Sequence, residues 1–230
     1  MKFDIVTIFP DIFDSFKKEA LISRAQVKKI ISINAHNLRD WTTDNHKTVD
    51  GRPYGGGAGM VMLVEPIMKA VKNVRTKNSK LKTKTIVFSP KGKKFSQAMA
   101  RKYSKLDQLI MICGRYEGID ERVSKYIADE EVSIGDYVLF GGEVPAMVVM
   151  EAVTRLLPGA VGKQASIENE SFKELKGIEK EMMEKFLEYP HYTRPETIEI
   201  AGKNRVVPKV LLSGNHKKIE EWRQKNAKRK

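Results

Sequence analysis

Between Ile112 and Glu143 the chain twice runs a short apolar stretch into a glycine turn. The first turn is Cys113-Gly114-Arg115-Tyr116-Glu117-Gly118 and the second Ser133-Ile134-Gly135-Asp136-Tyr137-Val138-Leu139-Phe140-Gly141-Gly142-Glu143. A buried strand followed by glycine lets bare backbone approach a ligand at the carboxyl edge of an open α/β sheet. The same rhythm runs through much of the chain. Strands expected at Phe3 to Phe9, Ile30 to Ala35, Thr85 to Phe88, Leu109 to Cys113 and Glu131 to Ile134 alternate with helices at Pro10 to Lys18, Glu65 to Val74, Lys94 to Ser104 and Asp120 to Ile127. Such alternation implies an α/β fold, a parallel sheet with helices on both faces. Val144 to Leu157 is a further helix, apolar nearly all round and ended by Pro158-Gly159. It should be buried in the core or against a second subunit.

Composition shifts after Gly162, which sets the expected domains. Residues 1–162 form the α/β domain, 163–172 a flexible linker poor in apolar side chains, and 173–230 a small, basic, mainly helical domain that opens with a charged helix to Glu188. The formal net charge of +13 over 230 residues points to a polyanionic partner, nucleic acid first. A basic proteome or simple solubility gives the same number, so the charge only supports that reading. A single cysteine, Cys113, excludes an intrachain disulfide and a multi-cysteine zinc site. His36, His46, His191 and His216 have no ligand spacing. An early acid and Pro10 interrupt the N-terminal apolar stretch, and no run approaches membrane-spanning length, so the protein is expected to be soluble, reduced and cytoplasmic.

Three groups of residues carry candidate chemistry. The loop Arg52-Pro53-Tyr54-Gly55-Gly56-Gly57-Ala58-Gly59 can cradle phosphate with its amides, but no lysine with a following serine or threonine makes it a P-loop. A flexible surface loop explains the glycines equally well. Arg52 and Tyr54 favour function, as a guanidinium and a ring able to contact and stack on an exposed base. The two glycine turns, from neighbouring strands, would share one pocket. Neither is G-x-G-x-x-G, so an adenosine-containing ligand without phosphates suits them better than a dinucleotide. The third group is the C-terminal set of Lys203, Arg205, Lys209, Lys217, Lys218, Arg223, Lys225, Lys228, Arg229 and Lys230, either a solvated surface or a set of phosphate contacts.

These segments, with Pro190-His191-Tyr192-Thr193-Arg194-Pro195 and Leu211-Leu212-Ser213-Gly214-Asn215-His216, closely resemble the bacterial tRNA (guanine-N1)-methyltransferases, and they follow the family's order along almost the whole chain. The resemblance implies a homodimeric enzyme of the SPOUT type with a deep trefoil knot and its active site at the subunit interface. It also implies methyl transfer from S-adenosylmethionine to N1 of the guanine immediately 3′ of the anticodon of tRNA, with magnesium involved. By the same resemblance Gly114, Glu117 and the run Ile134, Gly135, Asp136, Tyr137, Val138, Leu139 contact the cofactor, with Pro90 and Gly141 lining the knot.

Guanine N1 is protonated and a poor nucleophile, so transfer needs a base for that proton and a cation for the charge growing on O6. The family's base, an aspartate before Ser-Phe, corresponds to Glu170 before Ser171-Phe172, with Glu168 the nearest alternative; the cation carries over to Arg155. Three departures stand out: Glu for Asp at 170, Phe140 where the family usually has a small hydroxyl residue, and Ala58 for a common proline. The chain ends soon after Trp222, from which a reduced tRNA-contacting surface is expected. Two rival readings remain: a non-catalytic RNA-binding protein, and a knotted methyltransferase acting on a ribose hydroxyl or on ribosomal RNA.

Overall fold

The computed structural model describes residues 1–75, 77–162, 171–172 and 186–229. The chain divides into two units, residues 1–162 and 163–230. In the first, strands β1 (Lys2–Thr7), β2 (Ser32–Asn37), β5 (Thr83–Lys94), β6 (Gln108–Ile112) and β7 (Glu130–Ser133) form one parallel sheet in the order β2-β1-β6-β5-β7. A small antiparallel pair, β3 (Asp50–Gly51) with β4 (Val61–Met62), lies outside it.

Two apolar clusters sandwich the sheet, and strand periodicity assigns them to opposite faces. Phe3, Ile5, Ile86, Leu109 and Met111 point to one side, where helices α2 (Ala20–Val27), α4 (Gln97–Tyr103) and α6 (Glu143–Thr154) pack. Val6, Val87, Ile110 and Ile112 point to the other, against α3 (Val64–Val74) and α5 (Glu121–Tyr126). Covering both faces explains why β6 is buried at every position and reads as an unbroken apolar run.

The expected elements of residues 1–162 are present, Pro10 to Lys18 as a 3-10 turn (Pro10–Phe13) followed by α1 (Asp14–Lys18), with three differences. Most of the expected linker at 163–172 and of the charged helix at 173–188 lies outside the described residues, and Phe186–Leu187 is a strand. Helix α2 was not anticipated; its two buried residues, Ile22 and Ala25, make too short a pattern to read. Strand β5 continues to Lys94, and α4 starts only at Gln97. There Ser96 accepts a hydrogen bond from the Met99 amide, so Lys94 and Phe95 are held by pairing with β7 before the helix can begin. Finally, α6 is buried on one face only. Pro145, Ala146, Val149, Met150 and Val153 enter the core, while Val144 is 50% and Val148 41% exposed within this chain.

The described residues of the second unit carry antiparallel strand pairs as well as helices. Strand β9 (Thr197–Ile200) pairs with β10 (Lys203–Val206) across Ala201 and Gly202, both at positive φ as a tight hairpin turn requires. Strand β8 (Phe186–Leu187) pairs with β11 (Lys228–Arg229). After the short α7 (Lys209–Leu212), helix α8 (His216–Asn226) is capped by the Asn215 side chain. Its Trp222 lies edge-on to Tyr189 and Tyr192, and the Arg223 guanidinium stacks 5.0 Å over the Tyr189 ring.

Candidate active site at the carboxyl edge of the sheet

A cavity of about 420 Å³ opens at the carboxyl ends of β6 and β7, beside residues 87–91 within β5. Its walls are the segment after Val87, the Gly114 turn and the loop from Ser133 to Gly142, so the two glycine turns do meet in one pocket. Of the residues expected there, Gly114, Glu117, Pro90, Ile134, Gly135, Tyr137, Val138, Leu139 and Gly141 line it. Asp136 does not; its carboxylate turns outward to Lys94 Nζ at 2.5 Å, with the side chain 85% exposed. Phe140 stands at the mouth, 96% exposed, and does not fill the interior.

Close backbone approach accounts for the glycines. A Cβ on Gly142 would lie 2.7 Å from Cys113 Cα, because the Gly142 amide donates to the Gly114 carbonyl at 3.0 Å and clamps the two turns together. Beneath them, burial and then the charge of Glu143 push the Cys113 thiol well up, leaving it a space-filling group and not a nucleophile.

The floor of the second turn comes from β5 and β7. Val132 opposes both Phe88 and Lys93, so the residues between leave the ladder and rejoin it at the same place. The excursion places Ser89 and Pro90 in the cavity wall.

The glycine-rich loop is tied to the first turn. Glu117 N donates to the Met60 carbonyl at 3.0 Å, Met62 N to that of Gly118 at 3.0 Å and Asp120 N to that of Met62 at 3.1 Å. A Cβ on Gly59 would sit 2.4 Å from Glu117 Cγ. Tyr116, at φ +60, turns towards Asp50 and Arg39; burial and then the Asp50 carboxylate raise its phenol above the ordinary value. Arg52 and Tyr54 extend from this loop into solvent, Tyr54 fully exposed, and neither lines the cavity.

The cavity wall carries three carboxylates and two cations, Lys91 and Arg115. Glu117, Glu121 and Glu131 line it, and among the described residues only Glu121 takes ion pairs, from Lys91 at 3.8 Å and Lys125 at 4.0 Å. Arg115, which also lines it, is matched by Glu143 at 2.9 Å. Glu117 and Glu131, which take no ion pair among the described residues, favour a cationic group beside them. No group of three His, Cys, Asp or Glu among the described residues is placed to hold a metal.

Arg155 follows the last turn of α6, exposed, while the first turn of that helix abuts the cavity. Twelve residues separate the ends, about 18 Å at the helical rise. Glu168 and Glu170 lie outside the described residues. Sequence reading missed the contacts of Arg115 with Glu143 and of Glu143 with Thr7. Glu143 was visible after Gly141-Gly142, but nothing local marks Thr7 as its partner.

Comparison with known proteins agrees with this arrangement. The family model described as tRNA (Guanine-1)-methyltransferase TrmD matches residues 1–230. The chain is 52% identical over 227 residues to the tRNA (guanine-N(1)-)-methyltransferase of Carboxydothermus hydrogenoformans, covering 99% of this chain and 83% of that protein. It is 45% identical to the one from Clostridioides difficile, covering 99% and 92%, and 49% identical to that of Dictyoglomus turgidum, covering 100% and 86%. With the match running from end to end and the glycine turns meeting in one pocket, this chain belongs to the tRNA (guanine-N1)-methyltransferase family.

Proposed function

We propose that the protein methylates N1 of the guanine immediately 3′ of a tRNA anticodon, with S-adenosylmethionine in the carboxyl-edge cavity. The observation that carries this reading is the cavity itself, walled by two glycine turns and by carboxylates in a chain of this family. Glycine backbone suits an adenosine, and Glu117 and Glu131 suit a positively charged sulfonium. When bound, the donor supplies an electrophilic methyl group. Gly114, Gly135 and Gly141 approach the donor with backbone, while Ile134, Val138 and Leu139 exclude water from it. The knot is part of this reading through family membership.

Glu170 takes the N1 proton and Arg155 steadies O6 as charge grows there. Because Arg155 lies a helix length from the cavity of its own chain, a second copy brings it to the reacting base. The exposed apolar side chains Phe9, Ile12, Val138, Phe140, Val144 and Val148 favour that homodimer. Arg52 and Tyr54, on the loop hydrogen-bonded to the Gly114 turn, contact the target base region. The exposed Lys203, Arg205, Lys209, Lys217 and Lys218 of the second unit meet tRNA phosphates. Magnesium finds no three-ligand cluster among the described residues, and no step is assigned to it. No helix among the described residues is long and apolar enough to cross a membrane.

Transfer of labelled methyl to an unmodified transcript with guanine 3′ of its anticodon, and not to the same transcript lacking it, is the expected result. Nucleoside mass spectrometry should find 1-methylguanosine; a 2′-O-methylated nucleoside would overturn the assignment. Wild-type single-turnover rates in Glu170→Gln, with none in Glu168→Gln, would move the base to Glu168.

A further inference from the structure

Thr7, Glu143 and Arg115 come from the end of β1, the start of α6 and the turn after β6, and they form a chain of contacts under the cavity rim. The Thr7 hydroxyl donates to Glu143 Oε1 at 2.6 Å, and the Phe9 amide donates to the same hydroxyl at 3.0 Å. Glu143, 1% exposed, accepts from Arg115 Nε through its other oxygen at 2.9 Å. The Arg115 Cζ lies over the Phe9 ring, 4.7 Å from its centre. A Cβ on Gly141 would stand 2.3 Å from Arg115 Nε and 2.7 Å from Glu143 Oε2, so the glycine is what lets this pair lie against the rim.

The guanidinium is therefore held at Nε by Glu143 and rests against the Phe9 ring. Among the described residues its terminal nitrogens have a single long contact, Nη1 to the Phe140 carbonyl at 3.5 Å. Arg115 also lines both the cavity and a second, open recess beside Phe9, Pro10 and Asn37. A guanidinium held by Nε keeps a planar fork of donors that matches the two oxygens of a carboxylate or phosphate. The negative charge of Glu143 is offset by the Thr7 hydroxyl and by its place in the first turn of a 12-residue helix, where carboxylates are favoured.

We propose that Arg115 is an oxyanion-holding residue at the cavity rim, aimed by Glu143 and Thr7 as positioning residues. The oxyanion belongs either to the amino-acid end of the methyl donor or to a tRNA phosphate beside the target base. The inference rests on the cavity being the donor site, and that reading fails separately if wild-type protein binds no S-adenosylhomocysteine.

Calorimetry with S-adenosylhomocysteine and with methylthioadenosine, which lacks the carboxylate, distinguishes the sources. For a donor carboxylate, Arg115→Gln weakens the first by about tenfold or more and leaves the second within about twofold, with Arg115→Lys between. For a tRNA phosphate, both nucleosides bind as in wild type, the KM for tRNA rises about tenfold, and the salt slope falls by about 0.7. In either case Glu143→Gln and Thr7→Val shift the same parameter less, and adding either to Arg115→Gln shifts it no further. A merely structural ion pair lowers the unfolding temperature and touches neither affinity. That outcome, or a fall in kcat alone with both affinities kept, overturns the proposal.

Discussion

Asp4 shows how much a single buried side chain depends on its neighbours across the sheet. It has no exposed surface, yet His36 Nε2 lies 2.8 Å from one oxygen, Gln108 Nε2 donates to the other at 2.6 Å, and Lys2 Nζ stands at 3.2 Å. Burial alone would push this carboxyl up; the bonds from His36 and Gln108 and the Lys2 charge outweigh it and hold it below the ordinary carboxylate range. A group with a depressed folded-state value stabilises the fold above its unfolded value, about 4 for aspartate, and loses that contribution as pH falls through the depressed one. Urea midpoints measured downwards from about pH 5 should therefore drop more steeply in wild type than in Asp4→Asn; parallel profiles would contradict this. The sequence shows a charge inside an apolar strand, but not which side chains meet it, Asn34 Nδ2 at 3.3 Å among them. Lys2 is adjacent, whereas His36 and Gln108 come from β2 and β6 by strand register.

Most elements were legible because each follows a local period, two for the strands and 3.6 for the helices. β6 and α3 match their expected spans closely. What local pattern did not show was the second half of β5. The stretch from Ser89 to Lys94 is polar and lysine-rich, with no alternation to read, and it is a strand only because Lys93 and Lys94 pair with Val132 and Ser133. Gly92 makes that return feasible: a Cβ there would lie 2.5 Å from Val132 N and 2.6 Å from Glu131 C, both backbone atoms that cannot swing aside. Gly92→Ala should thus cost about 3 kcal/mol in denaturant unfolding and weaken donor binding. Gly162→Ala, where a Cβ meets nothing within 4 Å, serves as the control and should leave both near wild type. Equal effects of the two substitutions would remove the steric argument.

At the scale of the whole molecule, the single chain leaves the proposed site incomplete. Its cavity and its Arg155 stand at opposite ends of α6, so the proposed homodimer is one in which each cavity is served by Arg155 of the partner subunit. Mixed dimers test this. Arg155→Ala removes the cation, and Leu139→Arg puts a positive charge in the cavity wall facing a sulfonium; each homodimer should be inactive. A dimer with one subunit of each kind should regain one working site, the cavity of the first served by Arg155 of the second. If the mixed dimer stays inactive while both variants fold, each chain uses its own arginine.

The sequence by itself determined the α/β class, the two-faced burial of the sheet, the edge at which the two glycine turns meet in a cavity, and the family. These follow from repeating patterns and from motifs contiguous in the chain. The tertiary structure decided the contact of Thr7 with Glu143 across 136 positions, the outward turn of Asp136, the double use of Val132 and the exposed face of α6. The physical reason is one of range: hydrophobic period and turn chemistry act over a few residues, whereas which distant atoms meet depends on how the packed strands bring their backbones together.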